Sequence, residues 1–97
     1  MIRSLHREAD TDLTEAFRHY KVEVGQGVAG RFLKEFGRIA RLLEANPGLG
    51  TPTRDGRRSF PLVGYPYSLI YREVDEGIRV LVVRHQNRDP SYGEGRS

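Results

Sequence analysis

Residues 67–85, YSLIYREVDEGIRVLVVRH, decide the fold. Residues 67–74 alternate between the two faces of a strand, with Leu69 and Tyr71 on one face and Ser68 and Ile70 on the other. Such alternation is typical of a half-buried β-strand. The short DEG turn at 75–77 then predicts a β-hairpin. Residues 80–83 are continuously apolar, which favours a central strand covered on both faces.

Two further strands are predicted outside this hairpin. RRSFPLV (57–63) has strand composition, but Pro61 and the following GYPY (64–67) restrict it to a sheet edge or a bulge. IRSLH (2–6) alternates weakly and predicts a short first strand. Because this strand must pair somewhere, its free edge is a candidate for capturing a partner.

Between these strands the apolar period changes to that of helices. The first stripe has spacings of three and four and contains Ala9, Leu13, Ala16, Phe17, Tyr20 and Val24. A second stripe runs through residues 28–45, and NPGLGTP (46–52) ends it. The short glycine-containing link predicts antiparallel helices. The expected fold class is therefore α+β: a helical hairpin packed on a twisted antiparallel sheet, in the order β-α-α-β-β-β.

Length and composition limit the remaining possibilities. A chain of 97 residues predicts a single domain (1–97) with a thin core, and the polar DPSYGEGRS (89–97) predicts a flexible tail. The absence of Cys excludes a thiolate site, and the three His lack zinc-motif spacing, so no metal or cofactor is expected. With no apolar stretch of about 18 residues and no signal peptide, a cytoplasmic protein without membrane contact is expected.

The basic residues are almost all arginines. The chain carries 16 basic and 13 acidic residues, a net charge of +3, and its only lysines are Lys21 and Lys34. Arginine suits bidentate binding of phosphate and carboxylate groups, although codon bias explains such a ratio equally well. The position of each arginine is therefore more informative than the total.

The order of elements resembles the RelE/ParE superfamily, the toxins of bacterial type II toxin–antitoxin systems. The resemblance depends on NPGLGTP (46–52), the pair Arg57-Arg58, YPYSLIY (65–71) and HQNRDPSY (85–92), in this order and spacing. It implies a small cytoplasmic toxin of the plasmid-stabilisation type that arrests growth. It also implies a cognate antitoxin protein, encoded beside the toxin, that neutralises it.

The resemblance leaves two branches open. RelE-type members are endoribonucleases that cleave mRNA on the ribosome, whereas ParE-type members poison DNA gyrase without catalysis. RNA cleavage needs a base, an acid and positive charge on the phosphate. A nuclease would here use His85, Arg88 and Tyr92. For either target, the candidate binding residues are Arg57, Arg58, Arg84, His85, Arg88 and Tyr92.

Two departures favour the ParE branch. RRSFPLV lacks the paired lysines of RelE-type toxins, and Ser68 stands where those toxins have an arginine. The favoured hypothesis is a gyrase poison; the alternatives are a RelE-like ribonuclease and a degenerate, non-toxic binding module. Structural roles also remain open, since His85 suits a backbone hydrogen bond and Arg57 and Arg58 suit a solvated turn. Arg88 and Tyr92 show no evident core role and are the strongest functional candidates.

Overall fold

The computed structural model describes residues 2–97, which form two helices packed on one five-stranded sheet. The elements are β1 (Ile2–Leu5), α1 (Arg7–Glu23), α2 (Gln26–Ala45), β2 (Thr51–Pro52), β3 (Arg57–Pro61), β4 (Tyr67–Val74) and β5 (Gly77–His85). Their order in the sheet is β1-β5-β4-β3-β2. The α+β class and the order β-α-α-β-β-β are confirmed, with the two-residue β2 as an addition.

The sheet is mixed rather than wholly antiparallel. Strands β2 to β5 pair antiparallel, but β1 joins β5 in parallel, from Ile2 opposite Gly77 to Leu5 opposite Val80. The neighbour of β1 is the last strand of the chain, so no hairpin turn constrains its direction. As expected, β1 lies at an outer edge. The prediction that the strand at 57–63 lies at an edge or contains a bulge was wrong, because β3 pairs with β4 on one side and, at Arg58 and Ser59, with the short β2 on the other. Pro61 is tolerated because it lies beyond the residues that pair with β2.

The helix boundaries follow from local caps. Helix α1 begins two residues before the predicted Ala9, because Nδ1 of His6 accepts a hydrogen bond from the Glu8 amide at 3.0 Å. Between the helices, Gly25 has φ +135°, a conformation that other residues rarely adopt. Helix α2 ends where Nδ2 of Asn46 donates to the Leu42 carbonyl at 3.0 Å. Within residues 2–97, neither helix is long and apolar enough to cross a membrane.

The helices cover one face of the sheet, here called the inner face, and the main core lies between them. Phe32 is fully buried, and its ring centroid lies 5.1 Å from that of Tyr20 and 5.4 Å from that of Tyr67. The apolar stripes predicted for both helices supply most of this core. From the sheet, the core contains Leu69, Tyr71, Ile78, Val80 and Val83.

A β-bulge in β5 explains its continuous apolar run. Ile70 pairs with Val82 and Tyr71 pairs with Val80, which leaves Leu81 as the extra residue. Leu81 and Val82 therefore cluster with Ile70 on the opposite, outer face. Because β5 lies between β1 and β4 and is buried on both faces, the predicted central strand is confirmed.

Residues 89–97, here called the C-terminal segment, lie along the outer face in a series of turns. Tyr92 packs against the cluster of Ile70, Leu81 and Val82. The segment thus has defined contacts with the sheet. Its flexibility, which concerns motion, stays a prediction.

Candidate functional site

Arg58 fixes the loop after helix α2. Its Nη1 donates to the carbonyl oxygens of Gly48 and Gly50, at 3.2 and 2.8 Å. The Tyr71 hydroxyl reinforces the same loop, because it donates to the Pro47 carbonyl at 2.7 Å and accepts from the Gly50 amide at 2.9 Å. Burial raises the pKa of Tyr71, so this hydroxyl keeps its proton.

Arg57 and Arg84 bind the C-terminal segment. Arg57 donates to the carbonyl oxygens of Gly93 at 3.1 Å and Glu94 at 2.7 Å, and also to that of Arg96. Arg84 donates to the Pro90 carbonyl at 3.0 Å. Two of the predicted target-binding arginines, Arg57 and Arg84, therefore form hydrogen bonds within the chain itself.

Tyr92 belongs to a partly buried polar cluster with Asp12 and Arg96. Its hydroxyl donates to Oδ1 of Asp12 at 2.5 Å, and Nη1 of Arg96 lies 2.6 Å from Oδ2 of the same carboxylate. The side chains of Arg96 and Asp12 are only 7% and 4% exposed. The hydrogen bond to Asp12, together with burial, raises the pKa of the Tyr92 hydroxyl.

The cluster also completes the edge of β5. Pairing with β1 stops at Val80, so the next main-chain groups of β5 have no strand partner on that side. Oδ2 of Asp12 accepts from the Val83 amide at 3.1 Å, and Arg96 donates to the Leu81 carbonyl at 3.0 Å. Side chains therefore satisfy buried main-chain groups that a longer β1 would have paired.

His85 and Arg88 follow the end of β5. Nδ1 of His85 accepts from the Asn87 amide at 3.0 Å, and its ring stands edge-on to Tyr67 with centroids 5.0 Å apart. Neutral His85 in this arrangement carries its proton on Nε2, which is a donor and not a base. The Arg88 guanidinium lies 4.2 Å from the centroid of the Tyr92 ring, within cation–π distance.

The predicted site residues separate into different places. A cleft of about 450 Å³ is lined by Arg57, Arg84 and Tyr92, together with residues of the C-terminal segment. A smaller cleft of about 210 Å³ is lined by His85 and Arg88, with Glu15 and His19 from α1. Arg58 lines neither of these clefts. Of the three residues that a nuclease would use, His85 and Arg88 line the smaller cleft and Tyr92 lines the larger one, and Arg88 contacts the Tyr92 ring between them.

Sequence reasoning missed Asp12 and Arg96. A helix starting at the predicted Ala9 would place Asp12 in its first turn, where the dipole favours negative charge, but α1 begins at Arg7, so Asp12 lies beyond the first turn and faces β5. No periodic pattern marks Arg96. Among the described residues, no group of three or more His, Cys, Asp or Glu could hold a metal ion.

An apolar surface is exposed at the end of α1. Val22 and Val24 are 74% and 61% exposed. Val22 lines a shallow open depression with Glu15, Arg18, His19 and Glu23. This surface lies outside the contacts that hold the C-terminal segment.

Comparisons with known proteins agree with this fold. Residues 4–90 match the family described as ParE toxin of type II toxin-antitoxin system, parDE. No curated protein sequence matches the chain. Among solved structures, the chromosomal ParDE TA system from P. aeruginosa is similar, with a TM-score of 0.76 and 27% sequence identity. That match covers 88% of this chain and 95% of the other.

Proposed function

The chain belongs to the ParE toxin family of type II toxin–antitoxin systems, and from this premise we propose that it inhibits DNA gyrase and is neutralised by a cognate antitoxin. In this proposal the toxin acts by binding and carries out no reaction of its own. The ribonuclease alternative requires a free acid, a free base and a free phosphate clamp in one place.

The engagement of Tyr92 is the observation that carries the proposal. Its hydroxyl is held by Asp12 at 2.5 Å, and its raised pKa keeps it protonated in that hydrogen bond. The other candidate groups are occupied as well, since Arg57 binds main-chain oxygens and Nδ1 of His85 accepts an amide hydrogen. Such an arrangement supports a binding role more than general acid–base catalysis.

Arg88 and His85 are the proposed contacts with the target. They line the same small cleft, and Arg88 is exposed to solvent. A target carboxylate could accept hydrogen bonds from the Arg88 guanidinium and from Nε2–H of His85. Arg57, Arg58, Arg84 and Tyr92 would then support the site through the segment and the loop that they hold.

The exposed valines at the end of α1 support binding of an antitoxin. Val22 and Val24 offer apolar contact area, and the net charge of +3 attracts an acidic partner. An antitoxin segment seated there would cover side chains that are otherwise in water.

The test is to compare two activities of the purified chain. We expect the toxin to inhibit supercoiling by purified gyrase and to leave ribosome-bound mRNA intact. Arg88→Ala should weaken inhibition about tenfold, corresponding to roughly 1.4 kcal/mol of binding. Arg41→Ala, at an exposed arginine of α2, is the matched control and should inhibit like the wild type. Unaffected supercoiling together with mRNA cleavage would overturn the proposal.

A further inference from the structure

Three arginines stand directly opposite one another across three neighbouring strands. Arg57 of β3 pairs with Arg72 of β4, and Arg72 pairs with Arg79 of β5. Neighbouring strands lie about 4.8 Å apart, so the three side chains form a row across the outer face. Like charges in directly opposed positions destabilise a sheet. This arginine row therefore requires a compensating partner.

In this structure the partner is the C-terminal segment. Arg57 donates to main-chain oxygens of residues 93, 94 and 96. Arg72 and Arg79 both donate to the main-chain oxygen of Ser97, at 3.1 and 3.2 Å. The carbonyl oxygens of residues 93, 94 and 96 satisfy N–H donors of Arg57 but carry no full charge. These oxygens therefore bind Arg57 without neutralising its positive charge.

Three acidic residues line the cleft beside the row; Asp89 and Glu94 belong to the segment, and Asp55 does not. Asp89 and Glu94 both line the adjoining cleft, and Glu94 forms an exposed ion pair with Arg54 at 3.2 Å. If the segment left the sheet, these two carboxylates would leave with it. Because Arg96 would leave as well, the uncovered face would gain one net positive charge from these side chains.

We propose that the arginine row is a binding site for the phosphate groups of a nucleic-acid backbone, and that the C-terminal segment covers it. The guanidinium group binds phosphate through two parallel hydrogen bonds and adds full charge pairing. A peptide main chain, as the C-terminal segment shows, offers Arg57 carbonyl acceptors without a full charge, whereas each phosphate of a nucleic-acid backbone carries one. The site does not depend on the proposed inhibition of gyrase.

Gly93 provides a way to uncover the row without altering any arginine. It has φ +79°, and a Cβ atom built on it would lie 2.5 Å from Cγ2 of Val82. Gly93→Ala should therefore push the segment away from the sheet while leaving the row and Asp12 intact. Gly95→Ala is the matched control, because a Cβ atom there meets nothing within 4 Å.

The test measures binding of the full chain to a labelled single-stranded oligonucleotide by fluorescence anisotropy. We expect Gly93→Ala to bind at least about tenfold more tightly than the wild type and Gly95→Ala, because apparent affinity rises with the fraction of chains in the uncovered state. Adding Arg72→Ala and Arg79→Ala to Gly93→Ala should abolish the gain. Each lost arginine contact should reduce the salt slope by about 0.7.

The outcome that overturns the proposal is equal affinity of wild type, Gly93→Ala and Gly95→Ala, with folding of each verified by circular dichroism. Displacement of the oligonucleotide by polyglutamate at equal charge concentration would also overturn it, since the row would then prefer acidic peptides. If Gly93→Ala does not fold, Tyr92→Phe releases the segment more gently and should give a smaller gain; no gain would overturn the proposal. Binding of DNA and of RNA oligonucleotides is measured in parallel. The nucleic acid that binds more tightly, and that loses this affinity when Arg72 and Arg79 are replaced by Ala, is the one that supplies the phosphate groups.

Discussion

The two faces of the sheet are covered by different chemistry. On the inner face, α1 and α2 bury a continuous apolar core that includes Phe32 and Tyr71. On the outer face, the apolar cluster beneath the C-terminal segment is small, with Ile70, Leu81 and Val82 packed against Tyr92. The other contacts that hold the segment are mostly polar, and include hydrogen bonds from arginines to main-chain oxygens and the ion pairs of Arg96 with Asp12 and of Arg54 with Glu94.

The two faces should therefore respond differently to substitution. Apolar burial is roughly proportional to area and does not depend on a particular geometry. A buried ion pair, in contrast, balances a large desolvation cost against close contact, so losing one partner has a large effect. The inner face should therefore tolerate conservative changes, whereas the outer face should depend on a few groups.

The largest effect is expected at the centre of the inner face. Phe32→Ala removes a fully buried ring in contact with Tyr20 and Tyr67, and should lower the free energy of unfolding by about 3–5 kcal/mol. Urea denaturation measures the loss. Leu33→Ala is the matched control, because the adjacent Leu33 is 38% exposed, and its cost should stay below about 1 kcal/mol. Similar costs for the two variants would contradict the assignment of the core.

The next effect tests the cluster that joins the segment to helix α1. Asp12→Ala leaves the buried Arg96 without its counter-ion and the Val83 amide without its acceptor. We expect a loss of about 3 kcal/mol in unfolding free energy, at the lower end for a broken buried pair, since Arg96 can move into water with the segment.

Asp10→Ala is the control for that experiment. Asp10 lies in the first turn of the same helix but is exposed, and only its interaction with the helix dipole is lost. The expected cost is roughly 0.5 kcal/mol. An equal loss for both variants would mean that the cluster adds nothing to stability, and the contrast between the faces would fail.

The smallest effect concerns the Tyr92 hydroxyl and pH. Tyr92→Phe should cost about 1 kcal/mol at neutral pH, the usual net value of one hydrogen bond. The folded-state pKa of Tyr92 is raised above its ordinary value by the hydrogen bond to Asp12, so its contribution is complete below about pH 10 and is lost as pH rises through the folded pKa.

Thermal unfolding across the alkaline range measures this contribution. Tyr92→Phe should lose stability less steeply above about pH 10 than the wild type. Both proteins should still lose some stability at alkaline pH, because burial also raises the pKa of Tyr20, Tyr67 and Tyr71. Identical alkaline profiles would show that Tyr92 does not titrate with folding.

The inner face was also more predictable from the sequence than the outer face. Apolar spacing located both helices and the hairpin, and the predicted strand at residues 67–74 coincides with β4. The parallel pairing of β1 was not predictable, because it joins elements separated by most of the chain. The bulge at Leu81 was not predictable either, because a bulge inside an apolar run does not interrupt the apolar pattern.

The candidate site was less predictable than the fold. The sequence marks Arg57, Arg84 and Tyr92 as candidates for target binding. In the structure these side chains hold the C-terminal segment through specific polar contacts. Such contacts depend on three-dimensional proximity between residues about 80 positions apart, as for Asp12 and Tyr92, and have no period in sequence. The sequence does not show that Arg72 and Arg79 lie side by side, because only the register of the sheet places them opposite each other.

The bulge at Leu81 works like a frameshift in the side-chain pattern of β5. Before it, the odd-numbered Arg79 faces outward and the even-numbered Val80 faces the helices; after it, Val83 faces the helices and Arg84 faces outward. A saturation mutagenesis of this strand should therefore show tolerance that changes parity in mid-strand, from odd to even positions. Deleting Leu81 would restore regular alternation, because Val80 and Val82 would then stand next to each other opposite Tyr71 and Ile70, and every remaining side chain would keep its face.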